Sequence, residues 1–232
     1  MKTLGAFFQV YKNKKATEAA MKSFRACYPD SPVLLISDGG SDFTDIAEVY
    51  DAKFIMRHNI LGVDRGFYNS ERTIEAWNRH KMAVEHAQTD YIIILEDDVL
   101  VQKRVDFDGF DIKGPTANQM PPKGISEILR NRGCVGSGRF GACGGSVYKS
   151  SSFMQVYESA VNYSLEEHDT TFYNPPISSE ISDRSICAFD CNMTFHFSRC
   201  GFEYEAAEWL AEVHRQPDWR NYPIVHGYKE NY

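Results

Sequence analysis

Three adjacent carboxylates, Glu96, Asp97 and Asp98, sit at the centre of the most apolar segment of the chain, "YIIILEDDVLV", which runs from Tyr91 to Val101. Like charges repel, and an unpaired buried ion costs on the order of several kcal/mol. A divalent cation would offset both terms. Carboxylate oxygens are the hard ligands that Mg²⁺ and Mn²⁺ prefer, and these ions commonly retain water and phosphate in their shell. On an extended strand end, alternate side chains share a direction. Glu96 and Asp98 would then face one ion while Asp97 points toward a basic neighbour or backbone donors. The competing reading is a solvated loop that caps a helix; the abrupt step from "YIIIL" to "EDD" favours the cation.

The elements that must position these acids follow from hydrophobic patterning. Leu4–Tyr11 and Val33–Ser37 read as buried strands, Ala16–Cys27 as the helix between them, Asp45–Tyr50 as a short helix and Ala52–Met56 as a third strand. The spacing of Ile74, Trp77, Val84 and Ala87 predicts a helix over Thr73–Ala87, feeding directly into the strand Tyr91–Leu95. Alternating strand and helix favours a parallel α/β sheet, and ligands of such sheets bind beyond the carboxyl ends of strands, where Asp38 and Glu96–Asp98 both fall. After Gln102 the pattern is more mixed. "KGPTANQMPPKG" reads as a turn-rich excursion, Gly145–Tyr148 as the entry to a strand, and Ser152–Val161 as a helix. A further helix would start at Ser182 or Asp183, run to about Arg199 and close at Cys200 and Gly201.

The chain has 232 residues and a net charge of −7, without a basic stripe, which argues against nucleic acid as a partner. No apolar run reaches the length of a membrane span. Cys27, Cys134, Cys143, Cys187, Cys191 and Cys200 show no CxxC spacing, so the reading is a soluble, cytoplasmic protein with free thiols in a reducing compartment. Cys187, Cys191, His196 and Cys200 lie along one helix and cannot surround a zinc ion. The organisation expected is one domain over residues 1–232.

The segment "WNRHKMAVEHAQTDYIIILEDDV", after a strand–helix–strand ending in Asp38, resembles the helix, strand and acid-x-acid metal motif of the GT-A-fold nucleotide-sugar glycosyltransferases. It is also similar to the small glycosyltransferases of large algal viruses. The resemblance covers residues 4–102, is looser over 140–201 and returns at "VHGYK"; Glu96 stands where the family motif often has Asp. It implies a GT-A-like, Rossmann-related, mostly parallel sheet with helices on both faces. Residues 1–102 would form a nucleotide-binding half, and 103–232 an acceptor-binding half with a C-terminal tail. Asp98 would bind Mn²⁺ or Mg²⁺ directly and Glu96 through ribose or metal water, with Asp97 beside them at the nucleotide. Asp38 would face the base and Tyr11 stack on it. Of Arg79, His80 and Lys81, the helical register favours His80 or Lys81 as the basic group turned to the nucleotide. His226 would complete the metal shell and Lys229 pair with the diphosphate, the tail ordering when donor binds.

Sugar transfer with inversion needs a carboxylate to take the acceptor's proton. Asp183, at an expected helix N-terminus that favours its ionised form, is the first choice, with Glu180 as its nearest rival. Asp190 falls on an otherwise apolar stripe and reads as a supporting acid. Gly144 and Gly145 would let backbone approach the donor sugar, or serve as turn residues. The expected activity is metal-dependent transfer from a UDP-sugar to a glycan or glycoprotein hydroxyl. The alternatives are a sugar-phosphate nucleotidyltransferase, although "QVYKNKKAT" lacks the glycines of its phosphate loop, and a non-catalytic nucleotide-sugar or divalent-ion binding module.

Overall fold

A computed structural model of the chain describes residues 2–58, 70–115, 142–166 and 189–228. Its first half alternates as the hydrophobic pattern requires: β1 (Leu4–Val10), α1 (Lys14–Cys27), β2 (Val33–Asp38), α2 (Thr44–Val49), β3 (Lys53–Arg57), α3 (Ser70–Ala87) and β4 (Tyr91–Leu95). Asn13 starts α1, its side chain accepting the Ala16 N–H. There follow β5 (Leu100–Val101), β6 (Ile112–Gly114), β7 (Val147–Lys149), α4 (Ser150–Glu166), α5 (Phe189–Arg199), β8 (Tyr204–Ala206), β9 (Leu210–Glu212) and β10 (Ile224–His226).

Seven strands form one sheet in the order β3-β2-β1-β4-β7-β6-β8. β3, β2, β1 and β4 are all parallel, while β7 runs antiparallel to both β4 and β6. The sheet is mostly parallel with helices on both faces, as expected. The period-2 alternation of strand side chains explains how both faces are filled. Ala6, Phe8, Val10, Ile93 and Leu95 pack with Met21 and Phe24 of α1 on one side. Phe7, Ile92 and Ile94 pack with Trp77 of α3, Phe153 of α4 and Met193 of α5 on the other.

The remaining strands make a second, small sheet, β5-β10-β9. β5 follows the acidic cluster and pairs antiparallel with β10, Leu100 opposite Val225, while β9 runs parallel to β10 with Glu212 opposite His226. The three short strands carry too few residues to show a period, and the sequence reading omits them. His226 is therefore held by main-chain pairing with Glu212, while residues 229–232 of the tail lie outside the described residues.

Other expectations need adjustment. The strand expected over Gly145–Tyr148 starts later, because Gly145 takes a left-handed conformation, φ 89°. Glu96–Val99 is a turn closed by Val99 N–H donating to the Glu96 carbonyl at 3.2 Å, so strand alternation does not govern which acids share a direction. Ser182, Asp183 and Glu180 lie outside the described residues, as does the side chain of Asp190; α5 ends at the expected place, with Gly201 at φ 88°.

His80 is not turned to a ligand. It is buried between Phe7, Tyr148, Phe153 and Phe189, its ring 5.1 Å from that of Phe189, with Nδ1 3.2 Å from the Tyr148 hydroxyl. Burial, with the charge of Arg79, lowers its pKa from 6.5 to about 3. The unfolded chain takes up a proton below pH 6.5 and the folded chain does not until about 3. His80 therefore gives stability that is complete above pH 6.5 and is lost as the pH falls toward 3. His80→Phe should reduce the pH slope of the unfolding free energy in that window by about 1.4 kcal/mol per pH unit. Urea unfolding at pH 5 and 6, compared with the parent, measures it; an unchanged slope would contradict a buried neutral His80.

Candidate functional site

The carboxyl ends of β1, β2 and β4 lie side by side and carry Tyr11, Asp38 and Glu96. Tyr11 continues past β1; its carbonyl accepts the Ser41 N–H at 2.6 Å, and Lys12 Nζ stands 4.7 Å from its ring centre. Gly40 is obligatory at this contact, since a Cβ there would lie 1.7 Å from the Tyr11 oxygen. The "DGG" turn is thus pressed onto the end of β1.

Asp38 is buried, and Arg79 compensates it: Nη1 donates to Asp38 Oδ1 at 2.7 Å. Arg79 is itself inaccessible and also reaches the His58 carbonyl at 2.7 Å and Glu75 at 3.2 Å. So Arg79, rather than His80 or Lys81, is the basic group that α3 sends to this edge. Lys81 pairs with Glu85 at 3.5 Å and lies over the Tyr157 ring of α4, which turns it from the acidic turn toward the helix layer. A buried arginine on a helix has no distinctive pattern in sequence; only the acid at the end of β2 hinted that a partner was needed.

Glu96, Asp98 and His226 converge. One ligand atom from each lies within 4.8 Å of the others. His226 Nε2 is 3.7 Å from Asp98 Oδ1. Chain continuity and the small sheet explain this: β5 begins just after Asp98, and Tyr228 N–H donates to the Asp98 carbonyl at 2.9 Å beside β10. Asp97, between the two acids, is half-buried. Lys229 lies outside the described residues.

Gly144 and Gly145 differ in role. Gly145 N–H donates to the Ile94 carbonyl at 2.7 Å, and Ser146 accepts from Ile94 at 2.8 Å, so this segment lies along the end of β4. The Gly144 N–H then donates to Glu96 Oε1 at 3.0 Å. A Cβ at Gly144 would come within 2.6 Å of Val99, 3.1 Å of His226 and 3.4 Å of Glu96. Gly145 faces Leu210 instead, where its left-handed φ makes it a turn residue.

Two further groups, both missed in the sequence, border His226. Glu212 Oε1 is 3.6 Å and Cys143 Sγ 3.4 Å from its Nδ1. Glu212 is buried and pairs with Arg215 at 2.6 Å. Burial raises its pKa, but His226 and Arg215 outweigh this and leave it lowered. Burial likewise lowers the His226 pKa, yet Cys143, Glu212 and Glu96 around it raise it well above the ordinary histidine value. Cys27 and Cys200 are free thiols, and the Cys143 thiol is held against His226.

The acidic pair and His226 fit a small hard cation. Asp98 Oδ1 is buried and has no hydrogen-bond partner among the described residues, with His226 Nε2 at 3.7 Å as the positive group facing it. Two carboxylates and an imidazole are suitable donors for Mn²⁺ or Mg²⁺.

No protein-family model and no curated protein matches the chain. Among solved structures it is similar to an active-site mutant of LgtC, with a TM-score of 0.53 and 14% identity over 96% of this chain and 86% of that one. A cytidylyltransferase from Leptospira borgpetersenii serovar Hardjo-bovis overlaps at TM-score 0.45 and 9% identity, covering 90% and 77%, a likeness too loose to support inference. Among the described residues no helix is long and apolar enough to cross a membrane.

Arg79→Met would leave Asp38 buried without its cation and should destabilise the protein by about 3–5 kcal/mol. Denaturant unfolding at neutral pH reads this directly; a loss below about 1 kcal/mol would mean that water already compensates Asp38. The sheet order and its helix layers make this an α/β, GT-A-like fold, shared with LgtC.

Proposed function

We propose that this protein is a metal-dependent glycosyltransferase. It would move a sugar, with inversion, from a nucleotide-sugar donor, a UDP-sugar, to a hydroxyl of a glycan or glycoprotein acceptor. The observation that carries the reading is the convergence of Glu96, Asp98 and His226 at the strand ends of a GT-A-like sheet. Residues 1–102 would hold the nucleotide and 103–232 the acceptor, within one domain. The free thiols and the acidic charge fit a cytoplasmic enzyme that does not use nucleic acid.

Asp98 and His226 would hold Mn²⁺ or Mg²⁺, and Glu96, fixed by the Gly144 N–H, would meet the ribose or a metal-bound water. When bound, the cation supplies Lewis-acid neutralisation of charge on the departing diphosphate. Asp38, held by Arg79, would accept from the base, and Tyr11 would stack against it. Asp97 would border the nucleotide and Lys229 the diphosphate. Gly144 leaves room for the sugar beside Glu96 because any side chain there would fill it. Asp183 would accept the proton of the attacking hydroxyl.

Titration calorimetry against a panel of nucleotide sugars, with Mn²⁺ and with chelator, tests the donor. We expect Mn²⁺-dependent binding, reduced at least about tenfold in Asp98→Ala. Equal binding with chelator, or in Asp98→Ala, would overturn the metal reading. Asp183→Asn should keep donor affinity and lose transfer by about 10²–10⁴-fold. Preserved turnover in that variant would remove Asp183 from the mechanism.

A further inference from the structure

We propose that Cys143, Glu212 and His226 form a second cation site, of the soft class that zinc represents, which competes with the acidic pair for the His226 ring. The three ligand atoms lie within 4.8 Å of one another. Cys143 Sγ and Glu212 Oε1 stand 3.4 and 3.6 Å from the same nitrogen, His226 Nδ1. Ligands at about 2.0–2.3 Å from a tetrahedral zinc ion are spaced roughly 3.3–3.7 Å apart. The spacing therefore suits an ion: Cys143 Sγ at 3.4 Å is also within hydrogen-bond reach of Nδ1, whereas Glu212 Oε1 at 3.6 Å is too far for one. One thiolate, one imidazole and one carboxylate are a zinc donor set, with the fourth position left to water. A thiolate also distinguishes this set from the oxygen-rich group around Asp98, since soft ligands select zinc over Mg²⁺ or Mn²⁺. On binding, the Cys143 thiol releases its proton to solvent.

The two sets share one ring. Nε2 faces Asp98 at 3.7 Å and Nδ1 faces Glu212 and Cys143. The charged His226 ring must also release one proton to solvent before it can ligate, and the neutral imidazole then has one lone pair and one N–H. If a hard ion takes Nε2, the Nδ1–H points to Glu212; if a soft ion takes Nδ1, the Nε2–H points to Asp98. Each state is a carboxylate–histidine–metal triad, and each removes the lone pair that the other requires. A soft ion at Cys143 would thus withdraw His226 from the ion at Glu96 and Asp98. The existence of the soft site stands on its own geometry; only the competition rests on the metal reading proposed above.

Co²⁺ titration of the full chain tests the site by absorption spectroscopy, apart from any transfer assay. We expect a thiolate-to-Co²⁺ charge-transfer band that disappears in Cys143→Ser. A band that survives Cys143→Ser, or Co²⁺ binding without a band, would overturn the proposal. Glu212→Gln provides a second test should Cys143→Ser not fold: it should retain the band and weaken Co²⁺ binding about tenfold or more, and unchanged affinity would count against the site. For the competition, Mn²⁺ affinity is read by electron paramagnetic resonance with and without one equivalent of Zn²⁺. Zn²⁺ should weaken Mn²⁺ binding by at least about tenfold in the parent and not in Cys143→Ser. Equal displacement in both would place Zn²⁺ at Glu96 and Asp98 and overturn the competition. Absence of any Mn²⁺ binding would instead refute the functional reading while leaving the Co²⁺ result to decide the soft site.

Discussion

Repulsion between Glu96 and Asp98 is the constraint around which this end of the molecule is built. Both acids follow a fully buried strand, so neither can move away without disturbing Ile94 and Leu95. The turn from Glu96 to Val99 brings their side chains together instead of spreading them. Part of the charge is met by protein: the Gly144 N–H donates to Glu96. Another part is met by His226, whose Nε2 stands 3.7 Å from Asp98 Oδ1, an oxygen that is buried and has no hydrogen bond among the described residues.

Asp38 shows what the chain does when it neutralises a buried acid by itself. At the next strand end but one, it is met by Arg79 at 2.7 Å, and Arg79 is held in turn by Glu75 and the His58 carbonyl. That network is complete within the protein and can position the Asp38 carboxylate rigidly. The acidic turn has no such arginine among its described contacts. The same sheet edge thus holds one acid met by a buried arginine and another group met by a backbone N–H and an imidazole.

Much of this was legible in sequence, for a physical reason. Strands of five or more residues and helices of three turns or more impose periods on the chain, so β1 to β4, α1 and α3 are visible in the pattern, and Asp38 and Glu96 follow from their strand ends. The grouping of Glu96, Asp98 and His226 came from the resemblance, since nothing local links "EDD" to "VHGYK". Arg79, Cys143 and Glu212 were not legible. Arg79 sits in a run of three basic residues whose burial is decided by the sheet beneath α3, which also makes His80 a core residue and sends Lys81 to α4. Glu212 depends on β9 and β10, strands of three residues with no detectable period, and on a register that only the folded small sheet defines.

That small sheet explains how a histidine so late in the chain is held beside the end of β4. Its two faces are occupied differently. Leu210 and Ile224 join the main core beside β4, while Ala211 and Val225 pack with Trp219 in a cluster of their own. The main-chain pairs Leu100–Val225 and His226–Glu212 then fix both the height and the rotation of the imidazole. A histidine on an unpaired tail would lose rotamer and backbone freedom when a cation bound, at about 1–2 kcal/mol for each backbone residue ordered. Here that ordering is done in folding, by apolar burial that involves neither acid. The imidazole stands between Asp98 and Glu212 because two strand registers place it there, with Nε2 toward the first and Nδ1 toward the second.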